Sequence, residues 1–329
     1  MSGFDADWLS QREPFDRAAR DPGLETAFVD ALRANHHSHA LLSDSPGDRS
    51  IEPRAMRLAD LGGGTAANFR ALAPRIDGDQ HWVLFDHDPL LLAAAPGRIA
   101  HWARAQGWEA QIDVDPDATS GRSGGTSGRC AVRSARGCWT IDVMQIDLAA
   151  SLESIDARRF DGIVTTAFLD LVSHPWLERL TRWLMQARRP LLATLTVDGL
   201  RRWSPVLDDD SLIEAAFRRH QGGDKGFGES VGPGAAAVLA ECLRSAGCPV
   251  RLERSDWRIG PGEVSMLGRM AEEARAVALE VDPVSNERIL GWYQQRRAQI
   301  DAGRASLATG HVDLLAIPGH SPLGLSSRV

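Results

Sequence analysis

Short apolar runs separated by stretches of helical spacing constrain this chain more than any other feature. The runs are Met56–Asp60, Trp82–Asp86, Ile141–Asp147, Gly162–Thr166 and Leu191–Val197. Between them Ala66–Ile76, Pro89–Gln106 and Trp176–Arg188 repeat apolar residues at intervals of three and four. Parallel strands need a crossover between them, and a helix is the usual one. The pattern therefore predicts an α/β fold, a doubly wound parallel sheet with helices on both faces. Downstream, the spacing predicts helices over 212–220, 235–246, 266–278 and 286–302. Strands are predicted near Val250–Glu253 and, last, at His311–Ile317.

The segments outside this alternation read differently. Residues 4–35 carry a helical stripe that Pro14 should break, and His36–Pro53 has the composition of a loop. Residues 117–139 are rich in serine and glycine and read as a flexible insertion or a loose hairpin closing on Cys138-Trp139. Ser204–Pro233 is a long polar connection after the fifth run, and such connections at the carboxyl end of a parallel sheet are where substrates sit. The expected division is an N-terminal helical lid over 1–50 and one domain over 51–329. That domain carries the insertion at 117–139 and a substrate loop at 204–234.

Composition narrows the partners. The net charge of −7 and arginines spread along the chain argue against nucleic acid. No apolar stretch is long enough to span a bilayer, and the N-terminus lacks a signal-peptide pattern. Cys130, Cys138, Cys242 and Cys248 form no C-x-x-C pair, so reduced thiols in a cytoplasmic protein are expected, with no membrane partner and no metal. His36, His37 and His39 read as a solvated histidine-rich loop, because no second ligand cluster lies near in sequence. Among the 37 basic residues only Lys225 is a lysine, which singles out its position.

The chemistry gathers at strand ends. The first run closes as Asp60-Leu61-Gly62-Gly63-Gly64, and helical residues follow at once. Glycines there permit positive φ and close approach of a ligand to backbone. Such a turn serves the phosphates of NAD or the amino-acid part of S-adenosylmethionine. Roughly 20 residues on, Asp86 ends the second run, where both cofactor classes place a carboxylate on ribose hydroxyls. His87 follows it, and Asp88 with Pro89 reads as a helix N-cap and first turn. The third run ends in Gln145-Ile146-Asp147. Carboxylates on three successive strand tips suit an amino group, ribose hydroxyls and an adenine amine, whereas they repel a pyrophosphate. An NAD(P)-dependent oxidoreductase also needs G-x-G-x-x-G, and Ala67 stands at its last position.

On Asp60, Gly62, Gly64, Asp86 and Asp147 the sequence resembles the class I S-adenosylmethionine-dependent methyltransferases. The resemblance covers roughly 55–200 by motif spacing. It implies a Rossmann-like seven-stranded sheet with the last strand antiparallel. It also implies Asp60 and Gly62 near the methionine portion, Asp86 at the ribose and Asp147 at the adenine, with Gly63, His87, Gln145 and Thr166 lining the cofactor site. Ala66 replaces a glycine of the pattern and is expected to hold a negative φ. The pieces Arg12-Glu13-Pro14, Gln80-His81-Trp82, His220–Gly228 and Gly310–Leu315 further resemble a less characterised bacterial subgroup.

The expected activity is methyl transfer from S-adenosylmethionine to a small-molecule acceptor. A non-catalytic protein that keeps the fold and cofactor is the alternative. His220-Gln221-Gly222-Gly223-Asp224-Lys225 puts a base, a carboxylate and an ammonium in one glycine loop, which reads as the acceptor site. There His220 or Asp224 would serve as base, and Lys225 would pair with an acidic substrate group. Asp170, after the fourth run, is the other catalytic candidate, and Arg12 with Glu13 would belong to the lid.

Overall fold

The computed structural model describes residues 6–42, 54–113 and 126–319. In chain order the first half holds helices α1 (Ala6–Ala19) and α2 (Pro22–Leu42), β1 (Met56–Leu61), α3 (Ala67–Leu72), β2 (Gln80–Asp86), α4 (Pro89–Ala105), β3 (Glu109–Asp113), β4 (Thr126–Ser134) and β5 (Gly137–Gln145). Then come α5 (Leu148–Ser151), β6 (Gly162–Thr166), α6 (His174–Ala187), β7 (Leu191–Ser204), α7 (Asp210–Gln221) and α8 (Ala235–Ser245). The chain continues through β8 (Val250–Arg254), β9 (Trp257–Ile259), α9 (Val264–Val281), α10 (Asn286–Asp301) and β10 (Ser306–Ala316).

The strands form one sheet in the order β3-β4-β5-β2-β1-β6-β7-β10-β8, with β9 paired only to β10. From β5 to β7 neighbouring strands are parallel. β10 runs antiparallel to both β7 and β8. The stretch from β5 to β8 is thus the expected seven-stranded Rossmann-like sheet with its last strand reversed. Three strands lie outside that core, so the sheet has ten members among the described residues. Residues 126–139, read in sequence as flexible or as a loose hairpin, belong to the antiparallel pair β4–β5, whose Cys130, Val132 and Trp139 are buried. Alternation of buried residues along β4 ties this hairpin to the core. The start of that insertion, 117–125, lies outside the described residues.

One face of the sheet packs on α5, α6 and α8 around Phe85, Trp176, Leu177, Leu184 and Leu239. The other packs on α2, α3 and α4 around Phe28, Phe69, Trp82 and Trp139. A third core joins α7, α9 and α10 to the ends of β7, β9 and β10, and Trp8 and Phe15 of α1 rest against it. Arg296 is fully buried there, and its guanidinium reaches Asp210 Oδ1 at 2.6 Å between Trp203 and Trp292.

Several sequence expectations give way here. Pro14 lies inside α1 on its exposed side rather than ending it. The break falls at Asp21, whose Oδ1 accepts the Leu24 amide at 2.7 Å while Pro22 opens α2. The expected loop from His36 is helical as far as Leu42, and 43–53 lies outside the described residues. Phe28, Leu32 and Asn35 on the buried face of α2 carry the helix past the polar histidines. His36 Nδ1 stands 3.3 Å from Asp161 Oδ2 and is no part of a solvated loop. The side chains of His37 and His39 lie outside the described residues. The third expected strand ends at Gln145, which leaves Asp147 beyond it. Ala66 has φ +70 and not the expected negative value. A left-handed alanine costs about 1–2 kcal/mol, and Ala66 is fully buried in the core that also holds Phe69 and Leu84.

Candidate functional site

Strand order reverses between β1 and β6, and ligands of doubly wound sheets bind outside the carboxyl ends at such a point. The turn after β1 lies there. Gly62 and Gly64 hold φ +69 and +48. The Gly62 and Gly63 amides both donate to Phe85 O, and the Gly64 amide donates to Asp86 Oδ2 at 2.9 Å. Asp86 Oδ1 accepts the Asp88 amide at 3.0 Å and lies 3.4 Å from His87 Nδ1. Asp86 therefore holds the glycine turn through Oδ2 and the start of its own following loop through Oδ1. Asp88 caps α4 as expected, accepting from the Leu90 and Leu91 amides.

Asp60 is fully buried at the end of β1. Its Oδ1 accepts from Asn68 Nδ2 at 2.8 Å, and its Oδ2 is buried with no hydrogen-bond partner. Burial pushes its carboxyl up to about 7, against the Asn68 hydrogen bond and the nearby Arg20 charge. Arg20 reaches Asn68 Oδ1 at 2.9 Å, so α1 and α2 are wired to Asp60 through one amide. Glu13 of α1 grips Arg70 of α3 at 2.6 and 2.8 Å. Desolvation raises the Glu13 carboxyl, but the hydrogen bond and charge of Arg70 leave it below its ordinary value.

This wiring brings α1 over the glycine turn. Leu9 Cδ1 lies 3.6 Å from where a Cβ on Gly64 would stand, and Phe168 Cδ2 lies 2.8 Å from that of Gly62. The turn is thus covered, whereas an open cleft of about 480 Å³ is lined by Asp147, Ser173, Trp176, Arg179, Gly226 and Phe227 among others, with no residue of the turn in its wall. Asp147 caps α5 through Oδ1, which accepts from Ala149 and Ala150 amides; its Oδ2 takes no hydrogen bond among the described residues. Ile146 N donates to Asp86 O, and Gln145 Nε2 donates to His87 O at 3.1 Å, so the tips of β2 and β5 are joined. Asp60 and Asp86 therefore lie at the covered turn, whereas Asp147, two residues past the end of β5, lines the cleft. Thr166 ends β6, and its Oγ1 accepts from Thr194 Oγ1 at 3.1 Å.

The other candidates are spread across the loops of the same edge. Asp170 lies in a 3-10 turn after β6, with Oδ1 buried and unpartnered; burial pushes its carboxyl up to about 6. His220 is half-buried in the last turn of α7. Asp224 Oδ1 accepts the amides of Gly226 and Gly228 at 2.7 and 3.0 Å, so its carboxylate shapes its own loop and does not pair with Lys225. Lys225 is half-buried and has no ion pair among the described residues. Arg12 is buried, bonded to Asp16 at 2.9 and 3.1 Å and packed 5.0 Å from the Trp257 ring centroid. Among the described residues no group of His, Cys, Asp and Glu could hold a metal ion.

Sequence reasoning missed Asn68, Arg20 and Arg70 around Asp60, and Phe168, Trp176 and Phe227 around the cleft. The phenylalanine between two glycines in Gly226-Phe227-Gly228 was the one visible signal, because an apolar ring in a polar loop needs something to pack on. Nothing in sequence marks Asn68 as the partner of Asp60 except its place at the start of α3.

Neither a protein-family model nor a curated protein matches the chain. Among solved structures, it is similar to a phosphoethanolamine N-methyltransferase 2 from Haemonchus contortus, at 12% identity and TM-score 0.37 over 97% of this chain. The chain spans 59% of the length of that protein. A cyclopropane-fatty-acyl-phospholipid synthase-like protein from Lactobacillus casei is 15% identical with TM-score 0.42, over 93% of this chain and 99% of that one. A methyltransferase from Geobacter sulfurreducens, solved with S-adenosylhomocysteine, is 13% identical with TM-score 0.39, over 96% and 99%.

Proposed function

We propose that the chain is an S-adenosylmethionine-dependent methyltransferase acting on a small-molecule acceptor. The observation that carries this reading is Asp60 Oδ2, a buried carboxylate oxygen with no partner beside a bare glycine turn. An unsatisfied buried acceptor is costly unless a ligand completes it, and the α-ammonium of the donor's methionine portion is a fitting complement. Asp86 then stands at the ribose through its remaining lone pairs, and Asp147 Oδ2 at the adenine amine. The acid set disfavours a pyrophosphate, and Arg179, the one cation among the residues lining the cleft, is held by Glu153 at 2.5 Å. Leu9 and Phe168 must shift for the donor to reach Gly62.

When bound, the donor supplies a methyl group already activated by its sulfonium, so the protein's task is to align the acceptor and exclude water. α1 lies over the turn and serves that exclusion. Asp170 has the role of base toward an acceptor that arrives protonated, because its Oδ1 is unpartnered and burial sets it near neutrality. His220 and Lys225 belong to the segment after β7, and Asp224 holds its loop.

Titration of the pure protein with S-adenosylmethionine, S-adenosylhomocysteine and NAD tests the reading. The first two should bind and NAD should not. Asp86→Ala should weaken S-adenosylhomocysteine by roughly 1.5–3 kcal/mol, the worth of a hydrogen bond to a charged group. Binding of NAD alone, or unchanged affinity in Asp86→Ala, would sink the assignment.

A further inference from the structure

The glycine loop between α7 and α8 reads in sequence as the place where the acceptor docks. Its contacts point elsewhere. Asp224 Oδ1 gathers the amides of Gly226 and Gly228, residues with φ +99 and +86, into a tight bend. That bend drives Phe227 inward, where its ring meets Phe168 and Trp176 edge-on at centroid distances of 5.4 and 5.5 Å. The end of the loop is anchored by the Ser173–Ser230 bridge and by Ser230 Oγ, which lies 2.6 Å from Gln221 O and 3.1 Å from Asp170 O. Phe227 and Gly226 thereby form one wall of the open cleft, facing Asp147 and Trp176.

The chemistry of that cleft is specific. It offers aromatic surface and one carboxylate oxygen free to accept. Its one cation is taken up, Arg179 being held by Glu153 and by Ala149 O at 2.6 Å. The indole N–H of Trp176 is likewise used, donating to Leu148 O at 2.8 Å. Such a surface suits a flat, uncharged ring bearing an amino group and rejects anions. The cleft also adjoins Asp86 through the Ile146 amide. We propose that loop 222–228 belongs to the donor's side of the site, with Phe227 closing on the nucleobase and Asp224 acting through the loop as a positioning residue. This rests on the methyltransferase reading above. It moves Asp224 from acceptor chemistry to donor binding, and it joins the nucleobase wall to the glycine turn, since the ring of Phe168 touches Phe227 on one side and overlies Gly62 on the other.

The test is calorimetric titration of the full chain with S-adenosylhomocysteine and with 5′-methylthioadenosine, which keeps the nucleoside and lacks the amino acid. Phe227→Ala should weaken both ligands by the same factor, roughly ten- to a hundredfold for loss of one aromatic–base stack. Phe227→Leu, which keeps apolar volume against Trp176, should lose less. Asp224→Ala should weaken both ligands, and Asp224→Asn should restore binding, because its amide oxygen still accepts the two loop amides. Should Phe227→Ala fail to fold, Phe227→Leu and the Asp224 pair decide the matter. Wild-type affinities retained in these variants, or a loss for S-adenosylhomocysteine alone, would overturn the proposal while leaving the methyltransferase reading intact. If the wild-type chain bound neither ligand, that reading itself would fall.

Discussion

Replacing Asp60 by asparagine should make the ligand-free protein more stable and the liganded protein no longer stabilised. The side chain is fully buried, with one oxygen unpartnered. Its ordinary value is 3.8 and burial pushes it up to about 7. Between those pH values the folded state holds a proton that the unfolded state has lost. Stability contributed by the protonated group is therefore complete below 3.8 and is lost as pH rises through about 7. Each pH unit in that window is worth about 1.4 kcal/mol, so the loss approaches roughly 4 kcal/mol. Asparagine keeps the oxygen that accepts from Asn68 and never ionises, so it escapes this penalty. Asp170, Asp313 and Glu214 are also raised by burial, so the informative quantity is the difference between variant and wild type. Urea denaturation at half-unit steps from pH 4 to 8 measures it. The difference should grow in favour of Asp60→Asn by roughly 1 kcal/mol or more per unit, and S-adenosylhomocysteine should raise the midpoint of the wild type only. A difference flat with pH would refute the burial argument, and equal protection by ligand would remove Asp60 from the donor site.

Two further outcomes follow from the same geometry. Gly62→Ala sets a Cβ 2.8 Å from Phe168 Cδ2 at φ +69, so it should cost about 1–3 kcal/mol by thermal denaturation and abolish protection by S-adenosylhomocysteine. With an acceptor in hand, Asp170→Asn should lower kcat about 10²–10⁴-fold without changing donor affinity. The wild-type rate should rise with pH through about 6, because the base must be deprotonated; a rate independent of pH there would remove Asp170 from proton transfer.

How much of this was legible before folding divides along the range of the interactions. Periodicity and strand-end chemistry are local, and the sequence alone determined the five parallel strands with the helices between them, the reversed last strand, the turn at Asp60–Gly64, the cap at Asp88 and the acids at the ends of β1 and β2; it did not determine β3, β9 or the end of β5 ahead of Asp147. It also marked the loop 222–228 as unusual. What that loop faces was decided only in three dimensions. Asp224 could equally have turned toward Lys225, and the local hydrogen bonds to Gly226 and Gly228 won because they close a bend whose phenylalanine has Phe168 and Trp176 to bury against. Nor could local preference settle Ala66, whose φ is positive and whose methyl is buried in a core assembled from distant strands and helices. The wiring of Asp60 through Asn68 to Arg20, and the covering of the glycine turn by Leu9, join residues 40 to 60 positions apart. No periodicity records such contacts, because they exist only once the sheet has set the helices beside one another.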